Sequence, residues 1–550
     1  MAVDTRSAAP PALREPGLLA RRWPGWPGWP AAWPVALPVL FAAANGLAFY
    51  LIRPDVNDLW AARARASAAS HGVGLTYWFS WFGGGTTPGN YSVLTPYASA
   101  FIGTELLGAL SALAAVALAA VAVRGTRYPV AATWVAAVGA ALNTWSGRVP
   151  FLFGMVFAVG AIIAVRAKRR GPAVLLTLVG ILASPVAGAF ICMGLSGTFL
   201  TTRTKEYRPI IAWTVGASCL ALLGVAVLFG APGPEPFSVA QLAAVGLTQL
   251  WLLLGRPADH LRTTLAASTL ATLVLFFVPN GMGSNFSRFA YFCLPAAVVA
   301  TSSKRLRMAL FAVTPVTIAA TVGTVVDLVN ASRPISSVSY YTSLAHRLDK
   351  ITDLSDYRVE VVNHGAHAGY DALLEHALLA RGWETQEDHA LNAALLHPDL
   401  DPVTYKVWLD NNAVGYVALP SSAVQDYPEY TLVREHRPSY LHRIWRNADW
   451  QLYEVQTPTP IVGRPARVLG HDQKSMTIRV PCTCAVPVRV RWSKFLAAQL
   501  QGAGKVGHTV DAVPSVSAQV ADDGSGWTTL TTKRPGVYVL RGSLRGGLLR

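Results

Sequence analysis

Asp55 and Asp58 lie three residues apart in the segment RPDVNDLW, which follows the first apolar run of the chain. A carboxylate near a bilayer is costly to keep, and this makes it a functional candidate. Either aspartate can take a proton from a hydroxyl, or hold a divalent cation against a phosphate or diphosphate. If the first span continues as a helix, both side chains share one face. A plainer reading of Asp58 stays open beside this, since ahead of LWAARARA it suits a helix N-cap.

Arginines supply the opposite charge. Arg53 sits beside Asp55, Arg148 ends the short loop NTWSGR, and Arg288 lies in GSNFSRF. A guanidinium grips phosphate oxygens as a fork. The run GMGSN, with Ser284 and Asn285, can present backbone amides as an anion nest. Snorkelling to headgroups is the alternative for each arginine. In the first loop Tyr77, Trp78, Phe79, Trp81 and Phe82 precede Gly83-Gly84-Gly85. With His71, Trp78 and Trp81 are substrate-binding candidates, a sugar platform whose glycines admit close backbone approach. An interfacial aromatic belt accounts for the same rings. His364 and His367 read as structural loop histidines, and no metal site is assigned because no convergent ligand set is visible. Cys482 and Cys484 form a lone CxC; neighbours so close are not expected to bond, and no second pair completes a zinc site.

Positioning such residues needs a membrane scaffold, and the composition provides one. The 550 residues are 52% hydrophobic and only 14% charged, with mean hydropathy +0.36. Soluble proteins carry about 25% charge. The net charge of +16 gathers in short basic clusters between apolar runs, such as RAKRR at 166–170. That is a topology signal, not a nucleic-acid face. With these clusters held in the cytoplasm, spans fall at about 34–52, 93–123, 128–143, 149–165, 209–229, 238–255, 263–278, 289–302 and 308–328. Residues 172–200 add two short helices broken at Ser184-Pro185. Non-helical backbone at that depth is expected to border a cavity. The sum is eleven crossings, an N-terminus inside, and everything after about 332 outside.

Four domains are expected. A Pro- and Trp-rich disordered tail covers 1–33 and a transmembrane domain 34–330. An extracytoplasmic α/β domain follows at 331–460, with a helix over AGYDALLEHALLARGW, and a β-sandwich at 461–550. No P-loop, GxSxG elbow, HExxH or kinase signature occurs, so nucleotide hydrolysis is not encoded here.

An acidic outer loop after the first span, many spans with broken helices and a C-terminal extracytoplasmic half resemble the C-type integral membrane glycosyltransferases. The motifs SGRVPFLFG, SPVAG, GSNFSRF, LARGWETQEDHALN and WLDNNAVGYVALP look like those of a group of uncharacterised actinobacterial integral membrane proteins. The first resemblance implies an α-helical, GT-C-like membrane domain. It also implies a polyprenyl-phosphate sugar donor, an envelope glycan or lipid acceptor, and Asp55 or Asp58 as base or metal ligand. One departure stands out: TWSGR lacks the second acidic residue those enzymes often carry in a later outer loop. A divalent cation is therefore left open as cofactor. The expected place is the plasma membrane, with membrane lipid as a partner and no nucleic acid. A transporter or flippase is the rival reading, against which stand the odd span count and the absence of a two-fold internal repeat. A non-catalytic envelope scaffold is the third.

Overall fold

A computed structural model describes residues 29–230, 233–501 and 518–548. Most of the tail expected to be disordered lies outside these residues, but helix α1 already opens at Trp29 and runs to Ile52. Among the described residues six helices are long and apolar enough to cross a membrane. They are Pro34–Ile52 (within α1), Thr104–Ala122, Val149–Arg166, Arg208–Phe229, Asp259–Phe277 and Leu306–Ala331. The chain is therefore a multi-pass membrane protein. The other expected spans coincide with shorter helices: Pro129–Trp145, Arg170–Ala183, Pro185–Thr201, Val239–Leu252 and Leu294–Thr301. Small residues allow the helices to approach closely, with Ala158, Ala161, Ala164 and Ala173 buried in one cluster.

The chain breaks at Ser184, whose extended backbone separates Arg170–Ala183 from Pro185–Thr201. Carbonyls freed by a break must find donors. The segment after the first loop supplies them. Val93 and Leu94 donate backbone N–H to Leu182 O at 2.9 and 3.0 Å, and Ser92 and Thr95 donate hydroxyls to Ala183 O at 2.8 and 2.7 Å.

The C-terminal half begins with a four-stranded sheet of β1 (Arg358–Val361), β2 (Val414–Pro420), β3 (Leu441–Arg446) and β4 (Trp450–Val455). Its spatial order is β1-β2-β4-β3, with β1 and β2 parallel. No long helix forms over 368–383: only Gly369–Ala372 is helical. The chain there is buried on most sides and runs beside β1 instead. Val359 N–H reaches Leu378 O at 2.9 Å, Ala380 N–H reaches Val359 O at 3.0 Å, and Leu379 N–H reaches Ser80 O at 3.2 Å. Tertiary pairing has overridden local helix propensity.

Two further sheets follow. One holds β5 (Arg467–His471), β6 (Ser475–Val480), β8 (Leu496–Leu500) and β11 (Gly536–Gly542). The other holds β7 (Ala485–Arg491), β9 (Ala518–Asp522) and β10 (Trp527–Thr532). Val and Ile alternate with polar residues along β6 and β7, so Ile478, Val480, Val486 and Val488 meet in one core. Contrary to expectation, Cys482 and Cys484 are disulfide-bonded in the turn between β6 and β7. Their Cα atoms lie 5.5 Å apart, within normal reach of the bond.

The first loop does not lie along an interface. Helix α2 (Asn57–Ser70) and the residues after it are built into the C-terminal half. Trp60, Trp78, Trp81 and Phe82 share a core with Tyr341, Leu373 and Trp450. Tyr77 and Phe79 enter the core of the two sheets. Each such aromatic removes roughly 150–250 Å² from water.

Candidate functional site

The site is assembled from loops at one end of the helices. Helix α1 ends at Ile52, Arg53 adopts φ 51°, and residues 53–56 are not helical before α2 starts at Asn57. Asp55 and Asp58 therefore do not share a helical face. Asp58 is not an N-cap either; it occupies the first turn of α2, where a negative charge meets the positive end of the helix.

Asp58 lines a cavity of about 900 Å³ together with Arg148, Ser284, Asn285 and Arg288. Its Oδ2 accepts from Arg148 Nε and from Arg288 Nη2, each at 3.4 Å. Gly147 makes the first contact possible. Its φ is +75°, and a Cβ there would fall 2.6 Å from the Leu59 nitrogen, so only glycine brings Arg148 this close to the start of α2. The Arg148 guanidinium also stands over the Phe292 ring at 5.4 Å. Phe292 belongs to a π-helical turn, Phe289–Cys293, that follows Arg288 directly.

The nest expected at GMGSN is not open. The amides of Met282 and Gly283 both donate to Asn280 Oδ1, at 2.9 and 2.8 Å. Ser284 turns its hydroxyl to Glu235 Oε1 at 2.9 Å. Ser184 and Pro185, at the helix break, also line the cavity. Its far wall comes from the C-terminal half. Trp383 donates Nε1–H to Asn57 O at 2.9 Å and stacks on His367 at 3.5 Å between ring centroids. Glu384 is buried in an ion pair with Arg65, and Gln386 donates to Gly281 O at 3.2 Å.

Five residues selected from the sequence do not line this cavity. Asp55 pairs with Arg63 at 3.4 Å, and Arg63 also binds Glu105 at 2.7 Å. Arg53 is exposed and donates to Tyr50 O at 3.3 Å. His71 is exposed at the end of α2, 3.8 Å from Glu375. Trp78 and Trp81 are fully buried, their indole N–H groups donating to Gln473 Oε1 at 3.3 Å and Tyr370 O at 3.0 Å. They are neither sugar platform nor interfacial belt. Burial in the joint core decides this, because an indole sealed on all sides can offer no face to a ligand. His364 is likewise buried, 2.8 Å from the Tyr341 hydroxyl.

The cavity also contains acids that are not among the candidates picked out from the sequence. Glu235, from the loop APGPEPF, is raised to about 7 by burial, against the weaker pull of Ser284 and Arg288. Asp327 lines the same space near the end of Leu306–Ala331. A glutamate between two prolines in an otherwise apolar loop was the available signal for Glu235. Metal-ligand geometry is absent: among the described residues no three His, Cys, Asp or Glu side chains group as a metal site.

No family model matches the chain, and no curated protein matches it. Among solved structures it is similar to the arabinofuranosyltransferase AftD from Mycobacteria, with 15% identity and a TM-score of 0.44. That similarity covers 84% of this chain and 42% of AftD, so the chain spans less than half of that protein's length. It is also similar to the archaeal oligosaccharyltransferase AglB from Archaeoglobus fulgidus, solved with an inhibitory peptide and a dolichol-phosphate. Identity there is 11% and TM-score 0.46, over 71% of this chain and 70% of AglB. What chemistry the cavity supports follows from its own residues.

Proposed function

We propose that this protein transfers a sugar from a polyprenyl-phosphate donor to a hydroxyl of an envelope glycan or lipid, in the cavity around Asp58. The observation that carries the reading is one carboxylate set between two arginines in a large cavity where the helices meet the C-terminal half. Two convergent guanidiniums suit a phosphate, and the apolar helices around them suit its prenyl chain. Asp58 accepts the proton of the attacking hydroxyl. The Trp383–Gln386 wall faces the acceptor.

The residues present do not fit a divalent cation, because Asp58 Oδ2 already meets two guanidiniums and, among the described residues, no three acids, histidines or cysteines group as ligands. No step is assigned to one. In this reading the helices make eleven crossings of the plasma membrane, with the N-terminus in the cytoplasm. The cavity and the C-terminal half face the extracytoplasmic side, where nucleotide sugars are lacking and a lipid carrier is required.

The test is transfer from a panel of radiolabelled short-chain polyprenyl-phosphoryl sugars by the purified protein. Asp58→Asn is expected to lower the rate by about 10²–10⁴-fold, the usual worth of a general base. A wild-type protein inert toward every donor, at concentrations that saturate known lipid-phosphate sites, would remove the proposal.

A further inference from the structure

The base proposed at Asp58 leaves a second carboxylate of the same cavity without a role. Glu235 is not a stray loop residue. Its backbone N–H donates to Asn280 O at 2.8 Å, and its carboxylate accepts from the Ser284 hydroxyl at 2.9 Å. Gly283, at φ +40°, lies so near that a Cβ there would come 2.3 Å from Glu235 O. The turn carrying Ser284 therefore closes around Glu235. Four residues further on, the same run supplies Arg288, one of the two guanidiniums on Asp58. A phosphate gripped by Arg288 thus shares the cavity with the Glu235 carboxyl.

We propose that Glu235 is the proton donor to the leaving phosphate, acting opposite Asp58, so that the cavity holds one acid and one base. The assignment rests on the sugar-transfer reading above and adds a group to it. Two carboxylates in one site take different roles when their surroundings differ. Asp58 touches two cations. Glu235 faces the Ser284 hydroxyl, Arg288, Asp58 and Glu384; burial, reinforced by the two carboxylates and opposed by Ser284 and Arg288, lifts it to about 7. A phosphate monoester dianion takes up a proton at about 6, so the donor and acceptor of this proton are closely matched.

The step balances without any further reactant. The acceptor oxygen bonds to the sugar's anomeric carbon as its proton passes to Asp58. The bond from that carbon to the phosphate oxygen breaks, its electron pair stays on the oxygen, and the Glu235 proton joins it. The products are the glycoside, the polyprenyl hydrogen phosphate, a protonated Asp58 and an ionised Glu235. Water returns the proton from the first to the second.

The experiment is binding of farnesyl phosphate to the full-length protein by titration calorimetry in two buffers of different ionisation heat, at about pH 8, which counts linked protons. The wild type is expected to take up most of a proton, because an arriving dianion drives the proton onto Glu235. Glu235→Gln, which still accepts from Ser284, is expected to bind with none, whereas Asp58→Asn keeps the uptake. A structural role for Glu235 would leave the proton count unmoved. Equal uptake in Glu235→Gln and wild type, or binding by wild type with no uptake, overturns the acid and leaves the transfer reading standing. A folded wild type that fails to bind farnesyl phosphate overturns the transfer reading and the acid with it. Where transfer is measurable, Glu235→Gln is expected to lose the fall in rate above about pH 7 and to run about 10²-fold slower below it.

Discussion

Asp55 and Asp58 are close in sequence yet answer to different arginines, and the contrast can be measured. Asp55 is tied to Arg63 outside the cavity, so Asp55→Asn is expected to keep transfer within a few-fold of wild type, while Asp58→Asn lowers it by about 10²–10⁴-fold. Equal loss from both would mean that a place in the cavity does not set Asp58 apart, and would remove its assignment as the base. Buried acids also make stability depend on pH. Asp371 is raised to about 6, Glu235 to about 7 and Glu387 to about 8, in each case chiefly by burial. Where these groups remain protonated in the fold, the unfolded chain has already released its protons. The folded state then binds more protons, and stability falls as pH rises. The melting temperature in detergent is expected to drop between about pH 5 and 8. Glu387→Gln, which keeps the oxygen that accepts from Thr86 at 2.8 Å, is expected to flatten the upper part of that decline. An unchanged slope in the variant would clear Glu387 of the effect.

At the scale of elements, the turn at Gly147 and helix α2 decide whether the charges meet. Gly147→Ala puts a methyl group against Leu59 in a backbone region that side chains resist. The strain is of the order of 1–3 kcal/mol. It should lower the melting temperature and reduce transfer by displacing Arg148, although residue 147 offers no group to a substrate. Gly74→Ala, where nothing lies within 4 Å of the new methyl, is the matched control and is expected to behave as wild type. The same reasoning explains the helix break at Ser184. Its freed carbonyls have donors waiting in Ser92 and Thr95, so the break is held open at the cavity wall.

At the scale of the molecule, the C-terminal half is not self-sufficient. Trp60, Trp78, Trp81 and Phe82 fill its core from a segment that lies before most of the membrane helices. A chain beginning at residue 332 is therefore expected to aggregate or bind hydrophobic dyes, and fusing residues 57–91 to it should reduce both. Independent cooperative unfolding of the shorter chain would contradict that view. Sidedness is the second test at this scale. A cysteine placed at the exposed residue Asp399 should react with an impermeant maleimide in intact cells. Labelling only after lysis would put the cavity on the cytoplasmic face and end the case for a polyprenyl donor.

Composition and charge order alone determined that the chain is a multi-pass membrane protein with a strand-rich C-terminal half. Apolar length and β-branched alternation are local properties, written into consecutive residues. Asp58, Arg148, Ser284, Asn285 and Arg288 could also be picked out, because a polar or charged group beside an apolar span needs a reason to be there. What sequence could not decide was which of these groups meet. Asp55 and Asp58 were indistinguishable until the backbone turned at Arg53. Trp78 and Trp81 read as a surface until the C-terminal half closes over them, and nothing local marks that the turn at Gly283 wraps Glu235. Convergence depends on contacts between segments far apart in the chain, and no local pattern records the partner on the other side.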